Sequence, residues 1–184
     1  MKYDKWVMLP EASDSETVAL GMGRVESALL VHRGIATEEE MDEFLSPTLS
    51  SLHDPFLLPD MHVCIDRLEE AVDSKEVVGV FGDFDTDGIS GTALLTRGLE
   101  KMGLEVLPYV PHRVEEGHGI SMQALEFFSS KSVTLLITVD CGVSSGDEID
   151  TALHMGIDTI VTDHHTAVDE LPAAVAIVNP SLPG

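Results

Sequence analysis

Between residues 77 and 178, short apolar runs of strand length alternate with longer segments of helical periodicity, and this alternation constrains the fold more than any other feature. Val133–Val139 (VTLLITV) carries no charge and is too uniformly apolar to have a wet face. Val77–Phe81, Leu104–Val110, Ile157–Val161 and Ala174–Val178 are similar runs. Ile89–Met102, closed by Gly103, Ser121–Phe128 and Asp147–Met155 have helical spacing. Strands buried on both sides and separated by helices belong to parallel sheets covered on both faces. The expected fold class is α/β, a parallel sheet flanked by helices.

A helical N-terminal region is expected over 1–75, packing on the core domain of 76–184. Glu16 to His32 reads as one helical stretch with Gly34 as its stop. Thr37 and Glu40 form a capping-box pattern opening a short helix to Leu45, ended by Pro47. Ser46–Asp60, with its prolines and serines, reads as a surface loop. A helix from Asp60 to Val72 places Met61, Ile65, Leu68 and Val72 on one face. His32, His53 and His62 in this region read as surface or packing residues.

Charge sets a second limit. Ten Lys and Arg face 33 Asp and Glu among 184 residues, a formal net charge of −23. A 43% hydrophobic fraction excludes disorder as the explanation. No apolar run approaches the roughly 18–20 residues of a membrane span, and MKYDKWVMLPEASD lacks the layout of a signal peptide. Cys64 and Cys141 make no disulfide framework. These features predict a soluble cytoplasmic protein. No basic stripe of the kind that neutralises phosphates is evident, which argues at first against a nucleic-acid partner. The acids serve either as a solvated surface or, in part, as a shared cation site.

Their positions favour a site. In open α/β sheets ligands bind beyond the carboxyl ends of the strands, and three predicted strands end in acid. The first runs into Asp83, Asp85 and Asp87, the third into Asp140, and the fourth into Asp163-His164-His165. Five carboxylates crowded together repel one another unless some protonate or a cation joins them. Oxygen donors with one or two imidazoles suit Mn²⁺ or Mg²⁺ better than a thiolate zinc site does. After a strand end, one of two adjacent histidines can ligate metal while the other faces substrate, with Asp163 orienting a ring. An EF-hand reading of Asp83-x-Asp85-x-Asp87-Gly88 fails because a strand precedes it and Leu94 stands where the loop's closing Glu belongs. A haloacid-dehalogenase reading fails because Asp87 stands where that family has Thr or Val.

GDFDTDG, TVDCG and VTDHH, in this order and spacing, resemble motifs one to three of the DHH phosphoesterase superfamily, most closely its RecJ-type single-strand-specific exonucleases. The resemblance extends from about Leu29 to the end, through HRGI, FLSP, DPFLLPD, PHRVEEGHG and Asn179-Pro180. It implies 5′ to 3′ exonuclease activity on single-stranded DNA in repair and recombination, using two divalent ions, Mn²⁺ or Mg²⁺. By motif, Asp83 and Asp85 would each ligate one ion, Asp140 would bridge them, and His164 would complete the second. His165 would contact the scissile phosphate, Asp163 would orient the histidines, and Arg113 would clamp phosphate. Asp87 is expected as a turn residue or a partner of the ligands.

Three positions depart from the pattern. Phe81 stands where some members place a histidine, Cys141 where Asn is commoner, and His118 where Tyr is usual. The family's fourth metal-binding Asp, its glycine-rich domain and an OB-fold have no counterpart here, so an N-terminal fragment, inactive alone, is expected. Replication or repair proteins are the expected further partners. The resemblance also admits phosphodiesterases of oligoribonucleotides or cyclic dinucleotides, and non-catalytic interaction proteins that have lost ligands.

Overall fold

The computed structural model describes residues 7–167 and 170–182. They form two compact units, one ending at His53 and the other beginning at Asp54.

The first unit holds three short helices, α1 (Asp14–Leu20), α2 (Arg24–Val31) and α3 (Glu38–Leu45). The continuous helix expected over Glu16–His32 is broken at Gly21, which is left-handed and caps α1, while Gly23 starts α2. Glycine takes that conformation without a Cβ clash, so two glycines two residues apart outweigh the helical spacing around them. The capping box at Thr37 and Glu40 forms as expected, and Ser13 and Glu16 form a second one. Leu20, Leu30 and Ile35 make the small core.

The second unit begins with a 3₁₀ turn (Pro55–Leu57) inside the expected loop and then α4 (Met61–Ser74), β1 (Val77–Gly82), α5 (Thr86–Lys101) and β2 (Glu105–Tyr109). It continues with α6 (Met122–Ser130), β3 (Leu135–Val139), α7 (Gly146–His154), β4 (Asp158–Thr162) and β5 (Ala176–Val178). Helix α4 packs against the sheet. Every strand pair is parallel, in the order β2-β1-β3-β4-β5.

Both sheet faces are apolar, yet the period-two alternation is kept. Val78, Val80, Leu135, Ile137 and Ile160 face Cys64 and Ala71 of α4 and Leu99 of α5. Phe81, Leu136, Val161 and Ile177 face Ala124, Leu125 and Phe128 of α6 and Ile149 and Ala152 of α7. At the amino ends of the strands, the Arg67 guanidinium of α4 donates to Glu76 and to Asp158, and the Thr134 hydroxyl also donates to Glu76. Because β1 lies between β2 and β3, the chain reverses its direction across the sheet at the β1/β3 boundary. That is where an open α/β sheet leaves a crevice at its carboxyl edge. Among the described residues no helix is long and apolar enough to cross a membrane.

Candidate metal centre

The crevice is a cleft of about 380 Å³ whose lining includes Asp83, Asp85, Asp140, Asp163, His165 and His118. Glycine brings its first wall close. A Cβ on Gly88 would collide with the backbone of Asp83, and one on Gly82 would lie 2.7 Å from the Gly88 carbonyl oxygen. Helix α5 can therefore start directly at the end of β1, which sets Asp83 and Asp85 at one edge. Asp85 is the N-cap of α5; its Oδ1 accepts from the N–H groups of Asp87 (2.9 Å) and Gly88 (3.0 Å). The Gly88 bond is the main reason its carboxyl titrates below the usual range. Asp87 is exposed, and its backbone N–H partners Asp85 as expected of a turn residue.

Asp140, directly after β3, has φ 61°, a left-handed conformation that Asp and Asn tolerate better than most residues. Burial, and then the neighbouring Asp85 charge, push its carboxyl upward. One oxygen each of Asp83, Asp85 and Asp140 lie within 4.8 Å of one another. So do ligand atoms of Asp140, His164 and His165. Asp140 belongs to both groups and so stands between them.

After β4 the chain bends around Asp163, whose side chain is only 1% exposed. Its Oδ1 accepts from the N–H groups of His164 (2.7 Å) and His165 (3.0 Å), and its Oδ2 from Val143 N–H (3.0 Å). Burial raises its carboxyl, but these bonds and one to His165 outweigh burial and hold it below the ordinary range. Both oxygens are thus occupied. These bonds tie Asp163 to the backbone of both histidines and to the His165 ring. His165 Nδ1 lies 2.8 Å from Asp163 Oδ1, which raises the imidazole pKa. His164 turns the other way, with Nε2 3.2 Å from Asp140 Oδ1. Asn179 supports this corner by donating to the His165 carbonyl at 2.9 Å.

Arg113 does not line the cleft. Its guanidinium lies 5.0 Å from the centre of the Phe84 ring, between the two first-motif acids in sequence. His118 was visible in the sequence only as a departure from a pattern, and it enters the cleft with Nδ1 3.1 Å from Asp83 Oδ2. Cys141 also lines the cleft, and burial drives its thiol pKa far upward, which keeps it a neutral packing group.

The donor set fits hard divalent cations. Asp83 Oδ1 is buried with no hydrogen-bond partner, and a carboxylate oxygen left so is costly unless a cation approaches it. Residues 77–184 match the DHH family, N-terminal domain. The chain belongs to the DHH family. Within that family, the single-stranded-DNA-specific exonuclease RecJ of Bacillus subtilis (strain 168) is 36% identical over 170 residues, 92% of this chain and 22% of that protein. A crystal structure of exonuclease RecJ bound to manganese aligns with a TM-score of 0.66 and 37% identity, covering 71% of this chain and 34% of the other. RecJ from Thermus thermophilus in complex with Mn²⁺ aligns with a TM-score of 0.66 and 32% identity, covering 91% and 23%. The chain spans about a quarter of the length of the curated relatives it matches. The DHH resemblance and the α/β fold expected from the sequence both hold.

Proposed function

We propose that this chain carries the catalytic metal centre of a divalent-metal-dependent phosphodiesterase, a 5′ to 3′ exonuclease of single-stranded DNA working in repair and recombination. The observation that supports the reading most is the convergence of Asp83, Asp85, Asp140 and His165 from three strand ends on one cleft, with His164 beside Asp140 at its edge. The similarity to RecJ exonucleases supports the substrate class.

Asp83 and Asp85 would each hold one cation, with Asp140 shared between them and His164 completing the second. Mn²⁺ or Mg²⁺ in those positions supplies Lewis-acid stabilisation to the charged phosphoryl oxygens. Asp163 fixes His165 through Nδ1, leaving Nε2 as the donor to a non-bridging phosphate oxygen. The raised pKa favours the protonated ring that such a donor needs. Arg113, stacked on Phe84 outside the cleft lining, would contact the strand beyond the metal positions. The ligand residues are intact, which favours catalysis over a purely structural interaction role.

The test is Mn²⁺-dependent release of nucleotides from 5′-labelled and 3′-labelled single strands by the full-length protein, beside oligoribonucleotide and cyclic dinucleotide substrates. Release from the 5′ end of DNA, lost in Asp140→Asn, is the expected result. Preference for oligoribonucleotide or cyclic dinucleotide would reassign the substrate, and wild-type turnover in Asp140→Asn would overturn the assigned centre.

A further inference from the structure

His118 is held in place with more care than an exposed loop histidine needs. Its side chain is 74% exposed, so packing does not account for its position. Gly117 (φ 80°) and Gly119 (φ 84°) flank it in left-handed conformations and turn the loop sharply at the histidine. Glu116 secures that loop: Oε1 accepts His112 N–H at 2.7 Å, and Oε2 accepts the hydroxyls of Tyr109 (2.9 Å) and Ser121 (2.5 Å). The imidazole lies over Phe84 with ring centres 4.4 Å apart. Every one of these contacts leaves Nδ1 facing Asp83.

The spacing itself is informative. Two ligands of one cation at about 2.1 Å, set at right angles, are about 3 Å apart. His118 Nδ1 and Asp83 Oδ2 are 3.1 Å apart, and His164 Nε2 and Asp140 Oδ1 are 3.2 Å apart. The carboxyl edge of the sheet thus carries two imidazole–carboxylate pairs at ligand spacing, supplied by four different segments. Beside the first pair is Asp83 Oδ1, buried and without a partner. Only the second pair was anticipated from motifs.

We propose that His118 is a metal ligand, so that each cation position takes one imidazole: His118 with Asp83, and His164 with Asp140. The inference rests on the metal-centre reading above and adds a residue to it.

The test is Mn²⁺ binding to the full chain by calorimetry and electron paramagnetic resonance, including nitrogen hyperfine coupling from ligating imidazole. His118→Ala should weaken the ion that Asp83→Asn weakens, by at least tenfold, and remove its nitrogen coupling. His118→Phe, which retains the stack on Phe84, should behave the same way, and His164→Ala should affect the other ion. Unchanged Mn²⁺ affinity and coupling in both His118 variants, with loss in Asp83→Asn, would overturn the role of His118 alone. Unchanged binding in Asp83→Asn as well would overturn the metal centre with it.

Discussion

Asp140 shows how much one residue at a strand end can be asked to do. It is partly buried, close to Asp85, left-handed in backbone and shared by both ligand groups. Its upward-shifted carboxyl means that the cation-free fold carries an electrostatic penalty at neutral pH. Asp140→Asn removes the charge and tolerates the backbone conformation. Thermal unfolding without divalent ions should therefore occur at the wild-type temperature or slightly above it, while Mn²⁺ stabilisation largely disappears. An Asn variant that Mn²⁺ stabilises as strongly as wild type would show that Asp140 is not a ligand. Asp163 is the opposite case, a carboxylate whose pKa is lowered by backbone N–H groups that outweigh its burial. Sequence placed both at strand ends, and only the motif resemblance assigned them different roles. The difference lies in which N–H groups the following turn directs at each carboxylate.

At the level of elements, strand-length apolar runs located all five strands, because a sheet buried on both faces needs uninterrupted apolar residues. The carboxyl-edge rule then brought Asp83, Asp85, Asp140 and His165 to one cleft. His118 was not legible in this way. It arrives on the loop after β2, and its place depends on two left-handed glycines and the three bonds accepted by Glu116. The split of the first helical stretch at Gly21 and Gly23 was likewise a matter of local backbone rather than periodicity. Gly88 tests the strand-to-helix junction. Helix propensity alone would make Gly88→Ala stabilising by about 1 kcal/mol, but the new Cβ meets the Asp83 backbone. The overlap should prevail, with a net loss of about 2 kcal/mol in denaturant unfolding and weakened Mn²⁺ binding, since Asp83 must shift. At the opposite sheet edge, Arg67→Met leaves Glu76 and Asp158 facing each other. Removing one partner of a fully buried pair costs about 3–5 kcal/mol. Here the carboxylate side chains are 17% and 40% exposed, so about 2 kcal/mol is expected. Hydrogen bonding from Arg67 is the main cause of the lowered Glu76 pKa. A lowered carboxyl pKa stabilises the fold above the unfolded value and loses that contribution as pH falls through the folded value. The deficit of Arg67→Met should thus be full at neutral pH and shrink on acidification below the ordinary carboxylate range. A deficit independent of pH would mean that packing, not charge, was lost.

For the whole molecule, a net charge of −23 means self-repulsion that any salt relieves in part. The cleft adds a local term that monovalent salt screens poorly, because Asp140 is partly buried and Asp83 is buried. Mn²⁺ should therefore stabilise well beyond sodium chloride of equal ionic strength. An ion at a hundredfold excess over its Kd adds about 2.7 kcal/mol, or about 5–10 °C in Tm for a chain of this size. The gain must also depend on pH. A carboxyl whose folded pKa is raised, as that of Asp140 is, holds its proton to higher pH than it does in the unfolded chain, and that proton competes with the cation. Calorimetric scans from pH 8 down to pH 5 should show the Mn²⁺-induced increase in Tm shrinking steadily, while the effect of sodium chloride changes less. Equal stabilisation by Mn²⁺ and matched sodium chloride at every pH would mean that the acids of the cleft belong to the surface charge and hold no ion of their own. On the proposed reading, neutralisation of the cleft by bound cations is what would let so acidic a chain act on a polyanionic substrate. Charge that repels phosphate in the cation-free cleft is neutralised when the ions bind, so affinity for single strands should rise with Mn²⁺ wherever Tm does.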